Sequence, residues 1–359
     1  KAAISQDALP GAAKFRQRSI LEIDMKKILA TGLVLSAMAS AAMAQSTVTV
    51  FGVVDMAARE VRNGSVTQQQ LANDGNSSSR LGFRGVEDLG GGLSAGFWLE
   101  SQLVGDTGTT NASRFWHRRS TVSLISKDAG EVRLGRDQTP AWTALAEVDP
   151  FGLVGVGDAS TTYAVLGGID TRTRSDNMIS YFTPGGLGGF YGQLATAAGE
   201  GVAGRKYKGG RAGFRSGPLD VNAVYSTTTV TTDDVKLGMV SGSYDFGVVK
   251  LGISGQEQRY QAAKDRHFTV GATVPLGAVQ LKASYNQAKG YGTLNGRDAK
   301  QFALGAVYNL SRRTAVYGTY ADINNSGSAN YTVASINGYT LPATQQKSRG
   351  AEVGLRHSF

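Results

Sequence analysis

Cysteine is missing from this chain altogether, so it folds without disulfides. Histidine occurs three times, at His117, His267 and His357, and no His-Ser-Asp grouping or metal-ligand spacing surrounds any of them. A barrel-embedded hydrolase is therefore disfavoured. Proline is scarce, with seven residues in 359. Beyond the N-terminal region no run of about 20 apolar residues exists, which argues against a bundle of transmembrane helices. Nor do the basic residues gather into one stripe, although the formal net charge is +9, so no nucleic-acid partner is expected.

The N-terminal region reads as a targeting segment. Lys26 and Lys27 follow Met25, an apolar stretch runs from Ile28 to about Ala41, and Ala42-Met43-Ala44 has the small-x-small form of a cleavage site. Residues 25–44 are thus expected to be a signal peptide cut after Ala44. Residues 1–24 precede that methionine and look like translated upstream sequence rather than native structure. The remainder, 45–359, carries a net charge of +6, because the first 44 residues hold six basic and three acidic side chains.

What the chain does have is glycine, 48 of them, and an alternation of apolar and polar residues from end to end. Val48, Val50, Val54 and Met56 alternate with Thr47, Thr49 and Asp55. Val279, Leu281, Ala283 and Tyr285 alternate with Gln280, Lys282, Ser284 and Asn286. The last residues do the same, with Ala351, Val353, Leu355, His357 and Phe359 on one face. Period two is the signature of a β-strand. Sixteen such segments begin near residues 46, 78, 93, 114, 130, 174, 188, 208, 219, 235, 248, 266, 278, 299, 313 and 348. Most run about 10 to 12 residues, the length a tilted strand needs to cross a bilayer, against about 5–6 in a typical soluble strand. Tight connections such as "SKDAG", "DFG" and "PLG" alternate with longer ones near 62–77, 105–113, 139–173, 199–207, 229–234, 260–265, 289–298 and 324–347. No fixed-period repeat points to a propeller.

Hydrocarbon satisfies no backbone N–H or C=O group, so a sheet crossing a membrane closes on itself. The pattern therefore predicts a 16-stranded antiparallel transmembrane β-barrel with short periplasmic turns and long external loops. Closure pairs the last strand with the first, which lets the chain end inside the sheet. Phe51, Trp98, Tyr181, Phe182, Tyr244, Tyr308 and Phe359 are expected to form girdles at the two membrane surfaces.

The segments "TVTVFGVVDMAARE", "SSRLGFRGVEDLGGGLSAGFWLES", "WHRRSTVSL", "GEVRLGRDQTP", "DNMISYFTP", "YNLSRRTAVYGTYA" and "GLRHSF" resemble, in this order, the sixteen-stranded general porins of Gram-negative outer membranes. The resemblance covers nearly all of 45–359. It implies a passive diffusion channel for small hydrophilic solutes and ions, set as a homotrimer in outer-membrane lipid and lipopolysaccharide, with no cofactor. It further implies a third loop folded into the pore and a terminal Phe359 read by the barrel-assembly machinery. A plugged structural or adhesive barrel is the alternative; the short external loops and the lack of a passenger domain weigh against it.

Parity and resemblance together nominate pore residues. The loop at 139–173 carries Glu147, Asp149, Asp158 and Asp170, with Arg172 near its end, and its partly apolar "PAWTALAEVDPFG" suits packing against the wall. On the wall, parity turns Arg80, Arg84, Arg133 and Arg174 inward. Resemblance picks Arg80, Arg118 and Arg174 for the narrow part, whereas strict alternation from Val122 and Leu124 picks Arg119 instead of Arg118; a bulge would reconcile the two. Glu100 opposes this positive wall. Basic wall against acidic loop predicts a transverse field and a modest preference for anions.

Overall fold

The computed structural model describes residues 47–231, 233–334 and 339–359. The expected signal peptide, its cut after Ala44 and the upstream segment lie outside the described residues. From Thr47 to Ser358 the chain is one closed antiparallel barrel of sixteen strands.

The strands are β1 Thr47–Asn63, β2 in two pieces (Val66–Asn73 and Arg80–Gly90), β3 Leu93–Val104, β4 Arg119–Ser126 and β5 Gly130–Gln138. After the long third loop come β6 Arg174–Phe182, β7 Phe190–Ala197, β8 Lys206–Ser216, β9 Leu219–Thr229, β10 Asp234–Asp245 and β11 Lys250–Tyr260. The barrel ends with β12 Ala263–Leu276, β13 Val279–Gly292, β14 Arg297–Asn309, β15 Thr314–Gly327 and β16 Ser348–Ser358. Each strand pairs with its neighbours in sequence. β16 pairs with β1 from Val53↔Ser358 to Asn63↔Ser348, which closes the sheet. Phe359 adds a last rung, its N–H donating to the Gly52 carbonyl at 3.0 Å and its carbonyl accepting from Gly52 N–H at 3.1 Å.

Alternation decides which side meets lipid. Val353, Leu355 and Phe359 are exposed on the outside of the barrel at β16, while Glu352, next to Val353, is buried on the inside. The same split runs along β1, where Val48, Val50 and Val54 face out and Asp55, Ala57 and Arg59 face in. Tyr181, Tyr244, Tyr308 and Phe359 are exposed at the short-turn end, joined by Phe190 and Phe246, and form a girdle there. Phe51, Trp98 and Phe182 do not join it. Their register puts them on the lumen face: Phe51 packs edge-on against Trp98 at 5.1 Å, and the Arg133 guanidinium lies 4.2 Å from the Phe182 ring.

The loops are mostly shorter than the sequence suggests, because strands continue beyond the membrane as hairpins. The turn between β1 and the first piece of β2 is residues 64–65, and that between β11 and β12 is 261–262. Only 105–118, 139–173 and 328–347 are long. The polar cluster at 74–79 lies inside a strand. β1 pairs with the outer piece of β2 up to Met56↔Asn73 and with the inner piece from Val53↔Arg80. Six residues of β2 thus stand opposite two of β1, and the surplus leaves the ladder. Asp55 fixes this detour, its carboxylate accepting the N–H groups of Gly75, Asn76 and Ser77 at 3.2, 3.1 and 2.8 Å and the Tyr317 hydroxyl.

Candidate functional site

The third loop folds into the barrel. Its neck is closed by Thr139 N–H donating to the Thr173 carbonyl at 3.1 Å and Thr139 Oγ1 to the Arg172 carbonyl at 3.2 Å. Pro140 then opens helix α1, Pro140–Val148, a position where its missing N–H costs nothing. The helix buries Ala141, Ala144, Leu145 and Val148 against Val224, Met239 and Tyr163, so the apolar part of the loop does pack on the wall. Two wall glycines permit the approach. A Cβ on Gly252 would sit 2.6 Å from the Val148 carbonyl, and one on Gly271 would sit 2.3 Å from Pro150 Cδ.

The loop's acids are engaged by the loop's own backbone or by arginines of β8 and the loop before it, which differs from the acidic rim expected. Asp149 is buried and accepts N–H groups of Phe151, Leu153 and Ala159 at 3.1, 2.9 and 3.4 Å. Burial, with the charge of Asp158 adding to it, pushes its pKa up to about 7. Asp158 caps the short helix Ala159–Thr162 through Ser160 N–H at 2.7 Å. Glu147 pairs with Arg211 of β8, 3.1 Å from Oε1 to Nη1, and does not border the main lumen cavity. Asp170 pairs with Arg205 at 2.9 Å. The sequence could not reveal this, because a carboxylate on a loop looks the same whether it faces water or its own backbone.

Opposite the loop, the arginines are held by a framework of carbonyls and carboxylates. Glu100 on β3 accepts from Arg118 Nε and from Trp98 Nε1 at 3.1 Å, and Arg80 Nη1 lies 3.5 Å away. Arg174 Nε donates to the Arg118 carbonyl and Arg136 Nε to the His117 carbonyl, both at 2.7 Å. Both candidates of the Arg118/Arg119 pair face the lumen. Arg119 lies opposite Glu100 on β4, as alternation requires, and Arg118 stands just before the strand, where alternation does not apply. No bulge is needed there.

These side chains sort by depth. Arg80, Arg118 and Arg174, with Arg59 and Arg136, border a cavity of about 640 Å³ whose other side is Trp142, Ala146 and the backbone of Gly152–Gly155. Asp74, Asp158 and Asp170 are its acids. Asp74 also engages backbone, accepting Ser79 N–H at 2.5 Å. Arg84, Arg119 and Arg133 border a separate space of about 400 Å³ nearer the short-turn end. There Arg84 covers the Phe51 and Trp98 rings at 5.3 and 5.1 Å, and Arg133 bridges Glu131 and Asp137 at 2.8 and 2.7 Å.

Sequence reasoning missed Arg59 and Arg136 for different reasons. Arg59 shares parity with Asp55 on β1, so its inward position was readable. Arg136 follows outward-facing Val132 and Leu134 by even steps and reads as outward. A register shift between Gly135 and Asp137, with Gly135 at φ 123°, breaks the alternation and brings Arg136 to the cavity. His117, in the second loop, registers the resulting potential: burial, then the charges of Arg174, Arg136, Arg118 and Arg114, hold its pKa down to about 4.

His267 does have an acidic neighbour. Its Nε2 meets Asp265 Oδ2 under the third loop, and the Tyr163 ring lies 3.8 Å from its own. Both side chains are sealed from the lumen, and no serine completes a triad among these contacts. Among the described residues no group of three or more His, Cys, Asp or Glu side chains could hold a metal.

A closed barrel with an apolar exterior, an arginine-rich interior and a loop laid across its bore is a membrane channel. Known proteins agree. The Gram-negative porin family model matches residues 30–328. Outer membrane porin protein 32 of Delftia acidovorans is 39% identical over 365 residues, covering 93% of this chain and all of that protein. A Bordetella pertussis outer membrane porin protein is 28% identical over 93% of this chain and all of its own length. Among solved structures, an anion-selective porin from Comamonas acidovorans superposes with a TM-score of 0.79 at 35% identity, over 88% of this chain and all of that one. The chain belongs to the Gram-negative porin family: it is a bacterial outer-membrane porin, a barrel for passive diffusion.

Proposed function

We propose that this porin passes small hydrophilic solutes with a preference for small anions. One observation carries the reading: five arginines border the main lumen cavity against three carboxylates, and although Glu352, Glu100 and Asp176 offset Arg59, Arg118 and Arg136, Arg174 is held there by the Arg118 carbonyl. A planar guanidinium held rigidly by carbonyls presents its remaining N–H groups to carboxylate or phosphate oxygens. The expected wall-to-loop dipole is weakened on this reading, because Glu147 and Asp170 of the loop pair with Arg211 and Arg205 and wall arginines pair with Glu100 and Asp176. The similar Comamonas protein, described as anion-selective, supports the same direction.

We further propose a homotrimer set in outer-membrane lipid and lipopolysaccharide, with Phe359 as the signal taken by the barrel-assembly machinery. No catalysis, cofactor or nucleic-acid partner is assigned. Reversal potential in a salt gradient, wild type against Arg174→Ala, is the test. A unit charge about 6 Å from an ion in a water-like dielectric contributes roughly 0.7 kcal/mol. Anion passage should fall and cation passage rise by about threefold each, so the anion-over-cation permeability ratio should fall by up to about tenfold in the variant, less as salt screens the charge. A cation-selective wild type would refute the charge argument and leave the barrel intact, whereas a silent bilayer would favour a plugged barrel.

A further inference from the structure

Helix α1 turns different sides to different surroundings. Ala141, Ala144, Leu145 and Val148 meet the barrel wall. Thr143 bonds back to the Thr139 carbonyl at 3.3 Å, and Glu147 reaches Arg211. Trp142 and Ala146 remain. They are four residues apart and form one stripe, and this stripe borders the main cavity. It carries no charge. Trp142 is half-buried, so part of its indole is presented to the water-filled bore, and Val154 extends the apolar side. Arg172 steadies the ring from within the loop. Its Nη2 donates to the Ser160 carbonyl, and its guanidinium lies 5.9 Å from the Trp142 ring and 5.8 Å from that of Tyr163.

The cations bordering the same cavity are not equivalent. Glu100 pairs with Arg118 and lies 3.5 Å from Arg80, Asp176 pairs with Arg136, and Glu352 pairs with Arg59. Among the described residues Arg174 makes no ion pair. Its Nε donates to the Arg118 carbonyl at 2.7 Å, which leaves its two terminal nitrogens for a solute. A guanidinium held by one edge offers a fork that matches both oxygens of a carboxylate. The cavity thus joins one unpaired cation to one half-exposed aromatic ring. Its volume of about 640 Å³ lies within the roughly 300–1,000 Å³ typical of small-molecule sites.

We propose that this cavity is a resting station for monocyclic aromatic carboxylates of the benzoate type, with the ring against Trp142 and the carboxylate on Arg174. The proposal rests on the anion-preferring reading above and gives that reading a solute class. A hydrated inorganic anion gains nothing from an indole, and a neutral ring gains little from Arg174. A solute that carries both groups uses both sides of the cavity at once. Aromatic pairs in offset or edge-on contact also gain more than the area they bury, which favours an aryl over an alkyl acid. Because the station lies on the diffusion path, the stay is brief: a passing solute must bind well enough to enter and weakly enough to leave.

Block of the chloride current tests it. The purified porin is placed in planar bilayers at neutral pH, and benzoate, cyclohexanecarboxylate, acetate and the neutral benzamide are added in turn. Benzoate should half-block at a concentration roughly tenfold below acetate and a few-fold below cyclohexanecarboxylate, and benzamide should not block. Trp142→Ala should reduce the benzoate-over-acetate advantage about fivefold, and Trp142→Phe should keep it within about twofold of wild type. Taking the ratio of two acids in one variant cancels any general change in the bore. Arg174→Gln should weaken benzoate and acetate together. Benzoate no better than acetate overturns the proposal. So does an advantage that survives Trp142→Ala, cyclohexanecarboxylate equal to benzoate, or benzamide that blocks as well. Reversal potential in potassium chloride alone reads the underlying anion preference. An anion-selective wild type without a benzoate advantage sinks only the present inference, whereas a cation-selective one sinks the anion reading and this inference with it.

Discussion

Asp149 shows how far one side chain can depart from what its position in the sequence implies. It stands in the loop expected to supply the acidic side of the pore, yet its carboxylate is enclosed and holds the turn after α1. Its folded pKa, about 7, lies above the ordinary aspartate value of 3.8. The folded state therefore takes up the proton more readily than the unfolded chain. Stability from this group is fully present below about pH 4 and is lost as pH rises through 7. Thermal unfolding in detergent should show wild type gaining stability relative to Asp149→Asn as pH falls from 8 to 5. A pH-independent difference between the two proteins would show that the carboxyl is not the titrating group. Sequence could name the residue and its neighbours but not its burial, because three N–H groups converging on one carboxylate is a property of the folded turn. The arginines were more legible. Arg80, Arg118 and Arg174 reach the main cavity, and alternation or motif pointed to each; Arg136 escaped because a bulge has no period.

At the scale of elements, most strands were readable to within a few residues, since lipid on one side and water on the other force a strict two-residue repeat, but β2 begins at Val66, inside the loop expected at 62–77. β4 is expected near 114 and begins at Arg119; β3, β5, β6, β9 and β16 start where the alternation starts. The interruption of β2 is not readable in the sequence, because "NDGNSSS" has the composition of a loop between strands. Likewise the packing of α1 depends on absent side chains elsewhere, at Gly252 and Gly271. Replacing Gly271 by Val puts atoms where Pro150 and the Val148 carbonyl now lie. The third loop should lift from the wall, and single-channel conductance should change by tens of per cent with weaker selectivity, while β-structure by circular dichroism stays constant. Unchanged conductance would mean that the loop does not limit the bore.

For the whole molecule, closure is the decisive event, and its seam is guarded by a buried ion pair. Arg59 and Glu352 are Cα partners across β1 and β16, and their side chains meet at 2.6 Å with almost no exposure. Glu352 also accepts Val156 N–H at 3.1 Å, so the seam and the third loop share one carboxylate. Removing a single partner from such a pair costs about 3–5 kcal/mol, because the other charge is left in the interior. Glu352→Ala should lower the heat resistance of the folded barrel on gels and loosen the loop together with the seam. If heat resistance survives unchanged, the pair contributes little to holding the cylinder shut.

The detour in β2 has a consequence of its own. Six residues occupy a stretch where the neighbouring ladder needs two, and registers on either side are already correct. Chain can be gained or lost at this one place without sliding any other strand past its partner. The aperture thus has a site where lineages can retune its width by insertion or deletion while the hoop around it stays as it is.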